Sequence, residues 1–138
     1  MKVNLNQSGF EPIEAGLYLC SIVACEQALS KNKQPKLKLR YAVDGDEHPE
    51  YNNRQLFDER SLQEQAAFRI AQLVSAAMPD AEKDEDGNVE YEPEDLVGAE
   101  ISVQVIIDDS FDGIPRNKVA NVYPASYMAD LDATQEND

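Results

Sequence analysis

Between Lys31 and Val43 the chain carries five bases, Lys31, Lys33, Lys36, Lys38 and Arg40, and no acid. Cations spaced this closely suit one piece of chemistry above others, the neutralisation of successive phosphates. Recognition of a single strand needs a second ingredient: flat side chains on which bases stack, at about 1–3 kcal/mol each. Phe57, Phe111 and Tyr51 are the aromatic candidates. Phe111, between Ser110 and Asp112, is the one most expected at the surface. Lysines alternating with leucines also describe the solvated face of any strand, and lysine protects sheet edges from aggregation. The cluster gains meaning only from the elements that carry it.

Other chemistries find little support. His48 is the single histidine and lies beside Pro49 with no serine or cysteine at a recognisable spacing, so a nucleophilic triad is not indicated. There is no glycine-rich phosphate loop. The carboxylates fall in polar runs instead of pairs framed by apolar residues. Glu82, Asp84, Asp86, Gly87, Asn88 and Glu90 loosely imitate a calcium loop, but Glu stands at the first position and Pro93 where the closing bidentate Glu belongs. Cys20 and Cys25 miss the spacing of zinc and redox motifs. Five residues apart in a strand, they are expected on opposite faces as reduced, semi-buried thiols. No catalytic residue, metal or cofactor is expected.

The net charge of −15 argues at first against a nucleic-acid partner. Its distribution changes that reading. Residues 79–95 hold nine acids and one base, and residues 125–138 hold four acids and no base, which leaves about −3 for everything else. The chain is expected to be one domain over 1–124, with an acidic loop insertion at 79–95 and a flexible acidic tail at 125–138. No apolar run approaches the roughly 20 residues that cross a bilayer, and Met1 to Gln7 lack a signal-peptide core. The expectation is a cytoplasmic protein with no membrane partner.

The elements follow from periodicity. Leu17 to Ala28 is β-prone and reads as a long first strand. Lys36 to Val43 alternates Leu37, Leu39, Tyr41 and Val43 with Lys36, Lys38 and Arg40, which predicts a half-buried strand with a basic outer face. A third strand is expected from Tyr51 to Glu59, carrying Arg54 and Phe57. Ser61-x-x-Glu64 has the form of a capping box, and Leu62, Ala66, Ile70, Leu73, Val74 and Ala77 share one helical stripe, so a helix is predicted from Ser61 to Met78. Glu100 to Ile107 and Arg116 to Tyr123 are the last two strands. Five strands with a helix between the third and fourth is the order of the OB-fold, a small Greek-key barrel. A short α+β sandwich uses the same elements, but the long first strand and the helix placement favour the barrel. That fold binds oligonucleotides on strands two and three and between the loops joining strands one to two and four to five. The basic cluster occupies the first of these loops and strand two, while Phe111, Arg116 and Lys118 lie in or just after the second.

Several short pieces carry a resemblance. They are Pro12-x-x-x-Gly16-x-Tyr18, Leu37-Lys38-Leu39-Arg40-Tyr41-x-Val43-x-Gly45, Asn53-Arg54-x-Leu56-Phe57-Asp58, Leu96-Val97-Gly98 and Arg116-Asn117-x-Val119. In order and spacing the chain resembles a family of small phage OB-fold single-stranded DNA-binding proteins, formerly a phage domain of unknown function. The resemblance spans residues 10–124 and implies an OB-like barrel working in phage replication or recombination, in the host cytoplasm. Such binders often carry an acidic tail that recruits replication or recombination proteins and competes with DNA. Asp130 to Asp138 is similar in charge and position, though the chain ends Gln135-Glu136-Asn137-Asp138, without the aromatic residue that usually docks to host partners. OB proteins range from monomers to tetramers, so a homo-oligomer stays open.

The expected function is therefore binding of single-stranded DNA without sequence readout. Lys31, Lys33, Lys36, Lys38, Arg40, Arg54, Arg116 and Lys118 would meet phosphates, and Phe57 and Phe111 would stack bases. Reversing the charge of Lys36 and Lys38 is expected to abolish binding. The competing expectation is an acidic interaction module, or a mimic of DNA that occupies a host enzyme.

Overall fold

A computed structural model describes Met1, residues 12–110 and residues 113–127. Five strands carry the fold: β1 (Gly16–Leu29), β2 (Pro35–Val43), β3 (Gln55–Ser61), β4 (Glu100–Asp108) and β5 (Arg116–Pro124). One helix, α1 (Ala67–Ala77), lies between β3 and β4. The strands form a single antiparallel sheet in the order β3-β2-β1-β4-β5. Alternation sets its buried face: Leu37, Leu39, Tyr41 and Val43 from β2, and Ile101, Val103 and Val105 from β4, are all buried. Each such aliphatic side chain contributes roughly 1.5–3 kcal/mol by leaving water.

β1 holds the sheet together because it is shared. Its first half, Gly16–Ser21, pairs with β4, while Cys20–Leu29 pairs with β2. Between Ile22 and Ala24 the register with β2 shifts by a residue, a bulge at Val23. A bulge bends a strand and resets which side chains point inward. Cys20 opposes the buried Val43 and Cys25 opposes the buried Leu39. Both cysteines therefore face the core, not opposite sides as strict alternation predicts, and both are free thiols. Burial, the largest cause in each case, pushes the Cys20 thiol up to about 12 and that of Cys25 up to about 11.

Two boundaries differ from the sequence expectation. Pro49–Tyr51 forms a 3₁₀ turn, so Tyr51 and Arg54 precede β3 instead of lying on it. At its other end β3 continues through Ser61, which pairs with Lys36. The Ser61 hydroxyl accepts the Gln63 N–H, so no capping box forms with Glu64, and α1 starts six residues later than predicted. A ladder with a neighbouring strand outweighs a local capping signature worth about 1 kcal/mol.

No ladder joins β3 to β5 among the described residues, and side chains bridge the two outer strands instead. Arg60 of β3 is fully buried. Its Nε donates to Asp58 Oδ2 at 2.9 Å, and its Nη1 donates to the Arg69 carbonyl at 2.7 Å and to Gln72 Oε1 at 3.2 Å. Tyr41 donates its hydroxyl to the same Asp58 oxygen at 2.8 Å. From α1, Gln72 Nε2 donates to Asn121 Oδ1 of β5 at 3.0 Å, and Asn121 passes the chain on to Gln104 of β4 at 2.7 Å. Thus α1 stands across one end of the seam. The other end is fastened by Asn117 of β5, whose side chain exchanges hydrogen bonds of 2.8 and 2.9 Å with the backbone of the buried Ile13.

Residues 79–95 have structure of their own. All nine of their acids are exposed, yet Val89 and Tyr91 pack against the core. A 3₁₀ turn at Pro93–Leu96 then buries Leu96 before β4. No helix among the described residues is long and apolar enough to cross a membrane.

Candidate nucleic-acid interface

Lys36, Lys38 and Arg40 leave β2 on the face opposite Leu37, Leu39 and Tyr41. Register decides what each meets there. Arg40 lies between Ala24 of β1 and Phe57 of β3, Lys38 between Glu26 and Glu59, and Lys36 between Ala28 and Ser61. Lys36 Nζ also reaches Glu59 Oε2 at 2.9 Å. The basic row of the sequence is thus interleaved with two acids from neighbouring strands, which weakens its field. Lys31 and Lys33 are exposed in the β1–β2 hairpin loop. Lys33 takes a left-handed φ of 61°, and its N–H donates to the Ser30 carbonyl at 2.9 Å, which keeps that loop tight.

Phe57 stands at the centre of the candidate surface. It is 70 % exposed, and three depressions share it as a wall. One, of about 300 Å³, lies over β1 and β2 beside Glu26, Lys38 and Arg40. A second, also about 300 Å³, opens between Pro12, Arg54, Leu56, Pro115 and Arg116. The third, about 460 Å³, is lined by Glu59, Arg69, Asn117, Lys118 and Val119. The last two lie along the seam between β3 and β5. Of the residues expected from sequence, Lys38, Arg40, Arg54, Phe57, Arg116 and Lys118 therefore come together, while Lys31, Lys33 and Lys36 line none of these three depressions. Phe111 falls outside the described residues, as do residues 128–138 of the acidic tail.

Sequence reading misses Arg69. It is one polar position of a predicted helix, and only the packing of α1 beside β3 and β5 brings it to the third depression. The three acids near the seam are engaged elsewhere: Asp58 with Arg60 and Tyr41, Glu59 with Lys36, and Asp108 with the Ser110 N–H. Arg54, Arg69 and Lys118 have no ion-pair partner among the described residues. Solvent-accessible cations around an exposed ring can hold phosphates and stack a base.

Tyr51, the third aromatic candidate, is turned to another task. It packs edge-on against Tyr18, which in turn touches His48 at 4.5 Å between ring centroids. Burial raises the Tyr18 phenol above its ordinary value. No group of three or more histidine, cysteine, aspartate or glutamate side chains among the described residues is placed to hold a metal. A separate depression of about 450 Å³ lies between α1 and the acidic segment, lined by Ile70, Val74, Lys83, Val89 and Tyr91 among others. No family model and no curated protein matches the chain.

Proposed function

We propose that the protein binds single-stranded DNA without sequence readout, on an OB-type barrel. The observation that carries this reading is Phe57, a large apolar ring left 70 % exposed amid Arg40, Arg54, Arg69 and Lys118. An exposed aromatic on a strand costs burial energy, and cations on several sides give that exposure a use. The topology supports the fold assignment. The order β3-β2-β1-β4-β5, with a helix after β3, is that of an OB barrel cut between its third and fifth strands. A first strand bent at Val23 and shared between β2 and β4 supports it too.

The phage family that the sequence resembles would place this activity in replication or recombination. An acidic tail would then compete with DNA for the basic surface and recruit protein partners. A second reading, an acidic interaction module or DNA mimic, draws on the nine exposed acids of residues 79–95. It leaves the exposed ring and its cations without a role.

Fluorescence anisotropy with a labelled dT oligonucleotide and a duplex of equal length, over a salt series, tests the proposal. Tight binding to the single strand alone is expected, with a log–log salt slope of about −3 from four or five phosphate contacts. Absence of binding at low salt would overturn it. Capture of one host protein in a nuclease-resistant complex would then favour the acidic module.

A further inference from the structure

We infer that the nucleic acid runs along the seam between β3 and β5, with Phe57 wedged between two successive bases, and that Arg69 of α1 and Lys118 of β5 grip the phosphates on one side of it. The inference rests on the single-strand-binding reading and specifies its site. It moves the weight of the site off β2 and the β1–β2 loop, where the sequence reading puts five of its eight cations.

Three observations converge on the seam. The first is continuity. The two depressions along it have Phe57 and Asn117 as common walls, so they form one track divided by the ring. The Asn117 side chain is itself held by the Ile13 backbone, which makes this part of the wall rigid. The second is charge. On the β2 face Lys36 is bridged to Glu59, and Lys38 lies between Glu26 and Glu59, so a phosphate there must displace or oppose a carboxylate. Along the seam Asp58 and Glu59 are walls too, but each is already engaged, Asp58 by Arg60 and Tyr41 and Glu59 by Lys36. Arg54, Arg69 and Lys118, in contrast, have no ion-pair partner among the described residues, and Asp108 acts on Lys118 only at longer range. The third is shape. A ring between two grooves can slide between unstacked bases, whereas the bases of a duplex are stacked on each other and offer only their edges. Single-strand preference follows from the wedge.

The test uses the full chain and one labelled dT oligonucleotide. Arg69→Gln with Lys118→Gln should weaken binding about tenfold or more, whereas Lys36→Gln with Lys38→Gln should change it less than about threefold. A thermal melt of each variant shows whether it is folded. The sequence contains no tryptophan, so Phe57→Trp installs a single reporter at an exposed position. Its emission should be quenched as the oligonucleotide saturates the protein, and Phe57→Ala should lose about tenfold in affinity. If the wild-type chain binds but the two double variants rank in the opposite order, or the indole emission of the Phe57→Trp variant stays unchanged at saturation, the track lies elsewhere while the binding function stands. If the wild-type chain binds no single strand, both readings fall.

Discussion

On the neighbouring strands β2 and β3, the same period of two sends charge in opposite directions. Lys36, Lys38 and Arg40 point outward to water and to the acids of flanking strands. Asp58 and Arg60, also two residues apart, point inward beneath α1, where Arg60 is fully buried. In the first region charge is cheap to place and cheap to lose. In the second, each ion is desolvated, so its geometry is fixed by the partners that compensate it. The contrast teaches that a charged residue's role depends on what register places beside it, more than on how many like charges surround it in sequence.

The difference can be broken most severely at Arg60. Arg60→Ala leaves Asp58 buried without its cation and should cost about 3–5 kcal/mol, read as a fall in the midpoint of urea unfolding. Arg60→Met, which keeps most of the volume, should behave much the same while Asp58 remains, and Asp58→Leu added to it should recover part of the loss.

Alkaline pH attacks the inner face by another route. The unfolded chain releases thiol protons near 9, whereas the folded chain holds those of Cys25 and Cys20 to about 11 and 12. Above pH 9 the unfolded state thus binds fewer protons, and stability should fall as pH rises through 11 and 12, being fully present below 9. Tyr41, also raised by burial, adds to the same trend. Unfolding midpoints measured from about pH 8 to 11 check this, and Cys25→Ala should flatten the curve.

A smaller effect is expected at Tyr41→Phe. It removes one hydrogen bond to a buried carboxylate and should cost about 1.5–3 kcal/mol by the same unfolding measurement. Lys36→Ala should cost least, about 0–1 kcal/mol, because the Glu59 side chain is 56 % exposed and the pair is screened by solvent. A Lys36→Ala loss as large as that of Arg60→Ala would dissolve the contrast between the two faces.

The same contrast explains what the sequence revealed. β2 and β4 were legible because each alternates apolar with polar residues. In β5 the buried Val119 and Val122 lie three apart, across a register shift at Ala120 that alternation does not foresee. β3 was only half legible, since its inner positions are Leu56, Asp58 and Arg60, and two of those three read as solvent-facing. Its end was hidden for a related reason: Ser61 carries a helix-start signature, but its pairing with Lys36 is a fact about a distant part of the chain. The facing of Cys25 depends on a bulge at Val23, which leaves no mark in composition. Most cations of the candidate site could be named in advance, but not their sorting. That Lys38 meets Glu26 and Glu59, or that Arg69 reaches the groove beside Phe57, is decided by register and by the placing of α1.

The bond between Asn117 and Ile13 sets an order in time. The two residues are 104 positions apart, and Ile13 is the first core residue among those described. β1, next to it, must also wait for β4, because Tyr18 pairs with Val103. During synthesis the hairpin of β1 and β2 can form early, but one long edge of β1 stays unpaired until nearly the whole sheet has emerged. Contacts this distant slow folding and leave an open strand edge exposed to other chains in the interval. At roughly 5–20 residues per second, the interval between the emergence of Ile13 and that of Asn117 lasts on the order of 5–20 s. In the last third or so of that interval the exposed acids of residues 79–95, which emerge before β4, supply charge repulsion between nascent chains.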